Sequence, residues 1–163
     1  MFYLDLFRVL QEKRVRYFLI GGLAMNLHGV PRTTMDVDIV VSLDSQNKDA
    51  FVAAAQALGL KPVAPVALTD LFDAKKRREW IKTKKMIAFA LRPSDSKGPT
   101  VDVLIDLVLD FEEALGRVEW REVQGLRIPL ASAEDLIRLK ENTGRPQDQA
   151  DIEHLRRIAK KNL

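Results

Sequence analysis

The sequence predicts an α+β fold: a mixed β-sheet flanked by helices, with a helix pair at the C-terminus. Three observations point there. Short apolar runs of strand length, "RYFLIGG" (16–22), "MDVDIVVSL" (35–43) and "TVDVLIDLVL" (100–109), alternate with stretches of helical period. Turn chemistry around Gln124-Gly125 marks a hairpin late in the chain. Two start signals, at Ser132 and Pro146, open the closing helices.

Each element follows in order. "YLDLFRVLQEKRV" places Leu4, Leu6, Phe7 and Leu10 near helical spacing, and "RYFLIGG" is a buried strand stopped by glycines. "LAMNLHGV" is a short helix closed by Gly29 and Pro31, and "MDVDIVVSL" is a second buried strand. "SQNKDAFVAAAQALGL" is an alanine-rich helix, capped by Asp44 or Ser45 and followed by Gly59. "TDLFDAKKRREW" reads as a short helix or a loop, "KMIAFALRP" as a strand and "SDSKGP" as a turn. "TVDVLIDLVL" is an apolar strand holding aspartates, "DFEEALGRV" a short helix, and "VEWREV" with "LRIPL" a hairpin. The first closing helix starts at Ser132, with Asp135 in a capping-box position, and ends near Gly144. The second has Pro146 in its first turn and a stripe of Ile152, Leu155 and Ile158.

The 163 residues contain no repeat, low-complexity tract or linker, so residues 1–163 read as one domain. No membrane span or signal peptide is expected. The absence of cysteine excludes disulfides and thiolate metal sites and agrees with a reducing cytoplasm. With only two histidines, a zinc enzyme is not expected. The net charge of +3 is unevenly spread: "KKRREWIKTKK", Lys75–Lys85, holds seven basic residues and one glutamate. Such a run is a solvated segment or a polyanion contact, RNA included, with Trp80 stacking on a base.

Asp36 and Asp38 carry the chemistry. Two apart in a strand, they project side by side, while Val37, Ile39 and Val41 pack the other way. Paired carboxylates repel unless a cation lies between them, and Mg²⁺ takes oxygen ligands while keeping positions for water and phosphate. A third carboxylate, Asp102 or Asp106, comes from another strand, and spacing does not choose between these two. Three such groups suit two metal ions ~3.5–4 Å apart. Gly21-Gly22 ends a strand and opens a helix, which brings backbone amides close to an anion. Aspartates that cap helices or bind loop amides produce the same D-x-D by chance.

The apolar run, Gly-Gly, short helix and apolar-flanked D-x-D resemble the signature of the nucleotidyltransferase superfamily, the fold shared with polymerase-beta type enzymes. Thirteen residues separate Gly22 from Asp36, toward the long end of that pattern. The pattern's third acid matches Asp102 best. "PRTTMDVD" resembles the family's arginine-and-threonine lead into its acids, here Arg32 and Thr34. "ASAEDLIRLKENTGRPQDQADIEHL" is similar to the C-terminal region of minimal nucleotidyltransferases and abortive-infection toxin-type enzymes, with Lys140, Arg145, Asp148 and Asp151 in the matching places. Gly22 stands where many members carry a serine, so only its amide meets a phosphate.

The resemblance implies an enzyme that moves an NMP from an NTP to a hydroxyl of RNA, a protein or a small molecule. Asp36, Asp38 and Asp102 would be the catalytic and metal-binding acids, holding two Mg²⁺ ions or Mn²⁺ in their place. Gly21, Gly22, Arg32, Thr34 and Lys140 would bind the nucleotide, ATP among the candidates. For Lys140 the alternative is a solvated helix lysine. Arg145 with Asp148 or Asp151 reads as an ion-pair network joining the last two helices, and His28 as a satisfied or exposed side chain. Two rival functions remain: a non-catalytic nucleotide- or partner-binding module of a toxin–antitoxin-type system, and an RNA-binding protein whose acids are structural.

Overall fold

A computed structural model of the chain describes residues 2–94, 99–141, 143 and 145–161. Its strands join one mixed sheet. β1 (Tyr17–Ile20), β2 (Val37–Val41), β3 (Leu60–Pro62), β4 (Ala88–Pro93), β5 (Val101–Leu104), β6 (Glu119–Val123) and β7 (Leu126–Leu130) lie in the order β3-β4-β5-β2-β1-β7-β6. β2 runs parallel to β5, and β1 parallel to β7, while the other neighbours are antiparallel. The helices are α1 (Phe2–Glu12), α2 (Gly21–Leu27), α3 (Ser45–Leu58), α4 (Ala74–Lys84), α5 (Phe111–Leu115), α6 (Ala133–Lys140) and α7 (Pro146–Lys161), with a 3-10 turn at Leu68–Phe72.

Local chemistry accounts for the boundaries. Asp44 caps α3 by accepting from Asn47 N–H, and Gly59 ends it at φ +65°. Ser132 accepts from Asp135 N–H at the start of α6. Gln124 and Gly125 both take positive φ, the geometry of a two-residue hairpin turn between β6 and β7. α6 stops at Lys140, earlier than expected; Gly144, like the core of the expected turn at 95–98, lies outside the described residues.

The sheet has two unlike faces. On one, α1, α3 and α4 pack on the buried row of Tyr17, Ile39, Val103 and Phe89, with ring contacts Phe7–Tyr17 and Trp80–Phe89. Over the other, α2 and α5 cover β1 and β2, where Phe18 stacks on Phe111 at 5.5 Å. Every residue of β1 is therefore buried. On β4 and β5 only alternate residues are: Phe89, Leu91, Val101 and Val103 are buried, while Ala88, Ala90, Asp102 and Leu104 stay half-exposed. Among the described residues, that half of the sheet face is thus less covered than the half under α2 and α5.

The middle of the chain corrects one sequence expectation. Lys75–Lys84 lie in a helix, and its Trp80 is a core residue, 7% exposed and 5.6 Å from Phe89, not a platform for a base. Asp73 caps this helix through the Lys75 and Lys76 amides.

Candidate active site

The parallel pairing of β2 with β5 places Asp38 level with Asp102 on the same face. Asp36 stands one residue before β2, exposed, and its Oδ1 accepts from Thr100 N–H at 3.0 Å. Thr100 Oγ1 in turn donates to Asp102 Oδ1 at 3.0 Å. Val37 and Ile39, fully buried, hold β2 against the opposite layer, so the aspartates are presented by a fixed backbone. Asp106 lies beyond the end of β5 and is exposed. Asp102 is thus the acid beside Asp38.

Crowding shows in the titration of these groups. Burial first, then the Asp102 and Asp36 charges, push Asp38 up to about 6, while Lys140 pulls the other way. The contact between the two carboxyls raises Asp38 further and lowers Asp102. Burial raises Asp102 as well, against the lowering effect of the Thr100 hydroxyl.

The glycines have a geometric role that the sequence did not show. Gly21 adopts φ +73°, and a Cβ there would stand 2.2 Å from Asp38 Oδ2. A Cβ on Gly22 would stand 2.8 Å from the Thr34 Cβ. The pair therefore lets the start of α2 close down on the acid strand and its lead-in. Thr34 Oγ1 donates to Asp36 O at 3.2 Å, and Arg32 N–H to Asn26 Oδ1 at 2.8 Å, which shape the loop into β2.

Beside the acids lies a cationic group fixed from the C-terminal helices. Asp151, 1% exposed, accepts from Arg32 Nη1, from Lys140 Nζ at 3.0 Å and from Gln147 Nε2 at 3.1 Å. Asp148, 4% exposed, accepts from Thr143 Oγ1 and Arg145 Nε at 2.7 Å each, with Lys140 at 3.4 Å. Burial opposes ionisation of both acids, but these donors outweigh it and hold both below the usual carboxylate range. Lys140 is accordingly not a solvated helix lysine. Arg145 pairs with Asp148 locally at the start of α7, and the ion pairs that join the last two helices are those of Lys140 with Asp148 and Asp151. His28 is a satisfied core side chain, with Nε2 2.8 Å from Ala131 O and Nδ1 3.1 Å from Glu119.

The Asp38–Asp102 face offers oxygen donors alone, the chemistry of a hard divalent cation. Mutual repulsion and a raised Asp38 are what such a cation would relieve. Among the described residues, no three His, Cys, Asp or Glu side chains already converge as a metal-holding group; Asp36 rests on the Thr100 amide instead. The donor chemistry fits Mg²⁺, and Asp38 with Asp102 is where it fits.

A seven-stranded mixed sheet with an acid pair on adjacent parallel strands defines a nucleotidyltransferase fold. Residues 5–161 match the family model described as "nucleotidyltransferase of unknown function (DUF6036)", and the chain belongs to that family. No curated protein matches it by sequence. Among solved structures it resembles the lincosamide antibiotic adenylyltransferase LnuA bound to lincomycin, at 17% identity and TM-score 0.55 over 93% of this chain and 92% of that one. The antibiotic-resistance factor ANT(2'')-Ia matches at 15% identity and TM-score 0.58, over 99% of this chain and 83% of that one. An antigenic nucleotidyltransferase-like protein from Paracoccidioides brasiliensis matches at 19% identity and TM-score 0.53, over 94% and 71%. These likenesses establish the shared fold. Among the described residues, no helix is long and apolar enough to cross a membrane.

Proposed function

We propose that the chain transfers an NMP from a Mg²⁺-bound NTP to an acceptor hydroxyl, with Asp36, Asp38 and Asp102 holding the metal. The observation that carries this reading is the register of Asp38 with Asp102 on one face, with the Lys140 charge reaching Asp38 and Arg32 held beside Lys140 on Asp151. Bound Mg²⁺, or Mn²⁺ in its place, would supply the positive charge that lets Asp38 ionise and that neutralises the phosphate oxygens.

The chain's own groups divide the remaining work. Arg32 and Lys140, anchored on Asp151, would meet the β- and γ-phosphates and the charge that grows on pyrophosphate as it leaves. Asp102, raised by burial, is suited to take the acceptor's proton. The acceptor oxygen bonds to the α-phosphorus as the α–β anhydride breaks. Gly21 and Gly22 keep α2 close, so its first amides and Thr34 border the same space. ANT(2'')-Ia has been solved with adenylyl-2''-tobramycin, and LnuA with lincomycin, which favours a small-molecule acceptor here.

The test is incubation with each α-labelled NTP, Mg²⁺ and a panel of hydroxyl compounds, total RNA and protein. Label transfer that needs a divalent ion and disappears in Asp38→Asn is the expected result. Transfer that persists in the variant would overturn the assignment.

A further inference from the structure

The less covered half of the sheet face extends from the acids across β5 and β4 to β3. Ala90 pairs with Asp102, and Lys61 with Arg92. Paired residues share a face, and so do residues two apart, so Asp102, Ala90, Arg92 and Lys61 all lie on the acid side. The same register carries Arg92 level with Thr100, the residue that binds both Asp36 and Asp102. One strand spacing and two residues of rise put the Arg92 Cα about 8 Å from that of Asp102.

Two features set Arg92 apart from a solvated surface arginine. Its Nε is buried and has no hydrogen-bond partner among the described residues. A buried donor left unmade is costly, and a ligand oxygen on Arg92 would supply the missing partner. The neighbours of Arg92 on the way to Asp102 are two small side chains, Ala90 and Thr100, both half-exposed. Lys61, exposed on the neighbouring strand, adds a second cation.

We infer that this strip, Ala90 with Arg92 and Lys61, is the acceptor subsite, and that the acceptor carries an anionic group, a phosphate ester by preference, which Arg92 receives. The inference rests on the nucleotidyl-transfer reading above and specifies its acceptor. Guanidinium suits phosphate because its planar fork donates in parallel to two oxygens. With the anion on Arg92, a hydroxyl a few bonds away reaches Asp102, where its proton is taken. A cationic acceptor would face Arg92 and Lys61 as like charges.

The experiment supplies α-labelled NTPs with Mg²⁺ and a matched acceptor set. Glycerol 3-phosphate, nucleoside 5′-monophosphates and a short oligoribonucleotide are compared with neutral glycosides and a cationic aminoglycoside. Phosphorylated acceptors should be labelled at least ten-fold faster than the neutral or cationic ones. Label on the free monophosphates identifies a small-molecule source, and label on the oligonucleotide a strand end. Arg92→Gln should raise the acceptor KM ten-fold or more with little change in the NTP KM, and Arg92→Lys should restore part of the loss. Equal labelling of neutral acceptors, or an Arg92→Gln enzyme with an unchanged acceptor KM, overturns the inference and leaves nucleotidyl transfer intact. A wild-type chain that labels nothing and binds no NTP removes the parent reading, and this one with it.

Discussion

Two groups of aspartates lie close together and are in opposite electrostatic states. Asp148 and Asp151 are almost fully buried, yet their carboxyls are held below the usual range because Arg32, Lys140, Arg145, Thr143 and Gln147 satisfy them. Asp38 and Asp102 are shifted the other way: burial raises both, the Asp36 charge adds to each, and the Asp102 charge adds at Asp38. Burial alone does not separate the groups; the presence of protein cations does. One pair is already neutralised by the chain, and the other is left for something the chain does not supply. Lys140 links them, being bonded to Asp148 and Asp151 while its charge reaches Asp38.

The largest expected effect breaks the unsatisfied group. Asp38→Asn or Asp102→Asn should lower nucleotidyl transfer by orders of magnitude, read as label transfer under saturating Mg²⁺. The metal-free fold should meanwhile gain stability, on the order of 2 kcal/mol for Asp38→Asn, since a shift of one pKa unit corresponds to ~1.4 kcal/mol. The pH dependence has a definite sign. Asp38 titrates at about 6 in the fold, above its ordinary value of 3.8, so its protonated form favours folding. That stabilisation is complete below the unfolded value and is lost as pH rises through 6. Melting temperature without metal should therefore fall across that window, and Mg²⁺ should remove the fall by favouring the carboxylate. A melting profile that stays flat in both conditions would contradict the crowding at Asp38.

The satisfied group should respond in the opposite sense. Removing one partner from a buried ion pair typically costs ~3–5 kcal/mol, so Asp151→Asn should destabilise the chain by several kcal/mol. Because Asp148 and Asp151 titrate below their ordinary values, their contribution is present at neutral pH. It is lost only as pH falls below the unfolded carboxylate range and through their lowered values. Where Asp151→Asn folds, Arg32 and Lys140 are no longer held together, and the NTP KM should rise about ten-fold with a smaller change in kcat. Asp151→Glu should recover part of that KM. A purely structural Asp151 would lower stability and leave the NTP KM of the folded fraction unchanged.

This contrast also marks what the sequence could reveal. Asp38 is legible because period two turns it away from the fully buried Val37 and Ile39; Asp36, expected in the same strand, stands just before β2 instead. Asp102 and Asp106 could not be separated, since they share the same period. In the fold they differ, because β5 ends at Leu104 and so holds Asp102 but not Asp106. The burial of Lys140 was hidden because Asp151 lies eleven residues further on, across the turn between α6 and α7. Arg92 sits in a largely apolar strand, and its signal is the alternation Ala88-Ala90-Arg92 opposite Phe89-Leu91. Trp80 does not face solvent as a stacking platform would, because it is the buried anchor of a charged helix, with Ile81 partly buried beside it. Asp106→Asn, which sets the two β5 acids against each other, should change transfer less than two-fold.

The smallest effect is expected from the basic helix. α4 is anchored through Trp80 on Phe89, and Phe89 projects from the opposite side of the sheet to Ala90 and Asp102. Its charges are also partly used within the chain: Lys76 pairs with Asp70 at 2.7 Å, and Arg77 donates to Leu71 O at 2.7 Å. Lys75, Arg78, Lys82 and Lys85 stay exposed. Changing these four to glutamine should leave NTP binding, metal dependence and transfer to a small phosphorylated acceptor within two-fold of wild type. A nucleic-acid acceptor held by this helix would behave differently, because each phosphate contact removed lowers the log–log salt slope by roughly 0.7 to 0.9. A flattened slope with unchanged NTP KM would make α4 a docking surface reached around the sheet edge. An unchanged slope would leave the cations beside the acids, Arg32, Lys140 and Arg92, to meet the charge of both substrates.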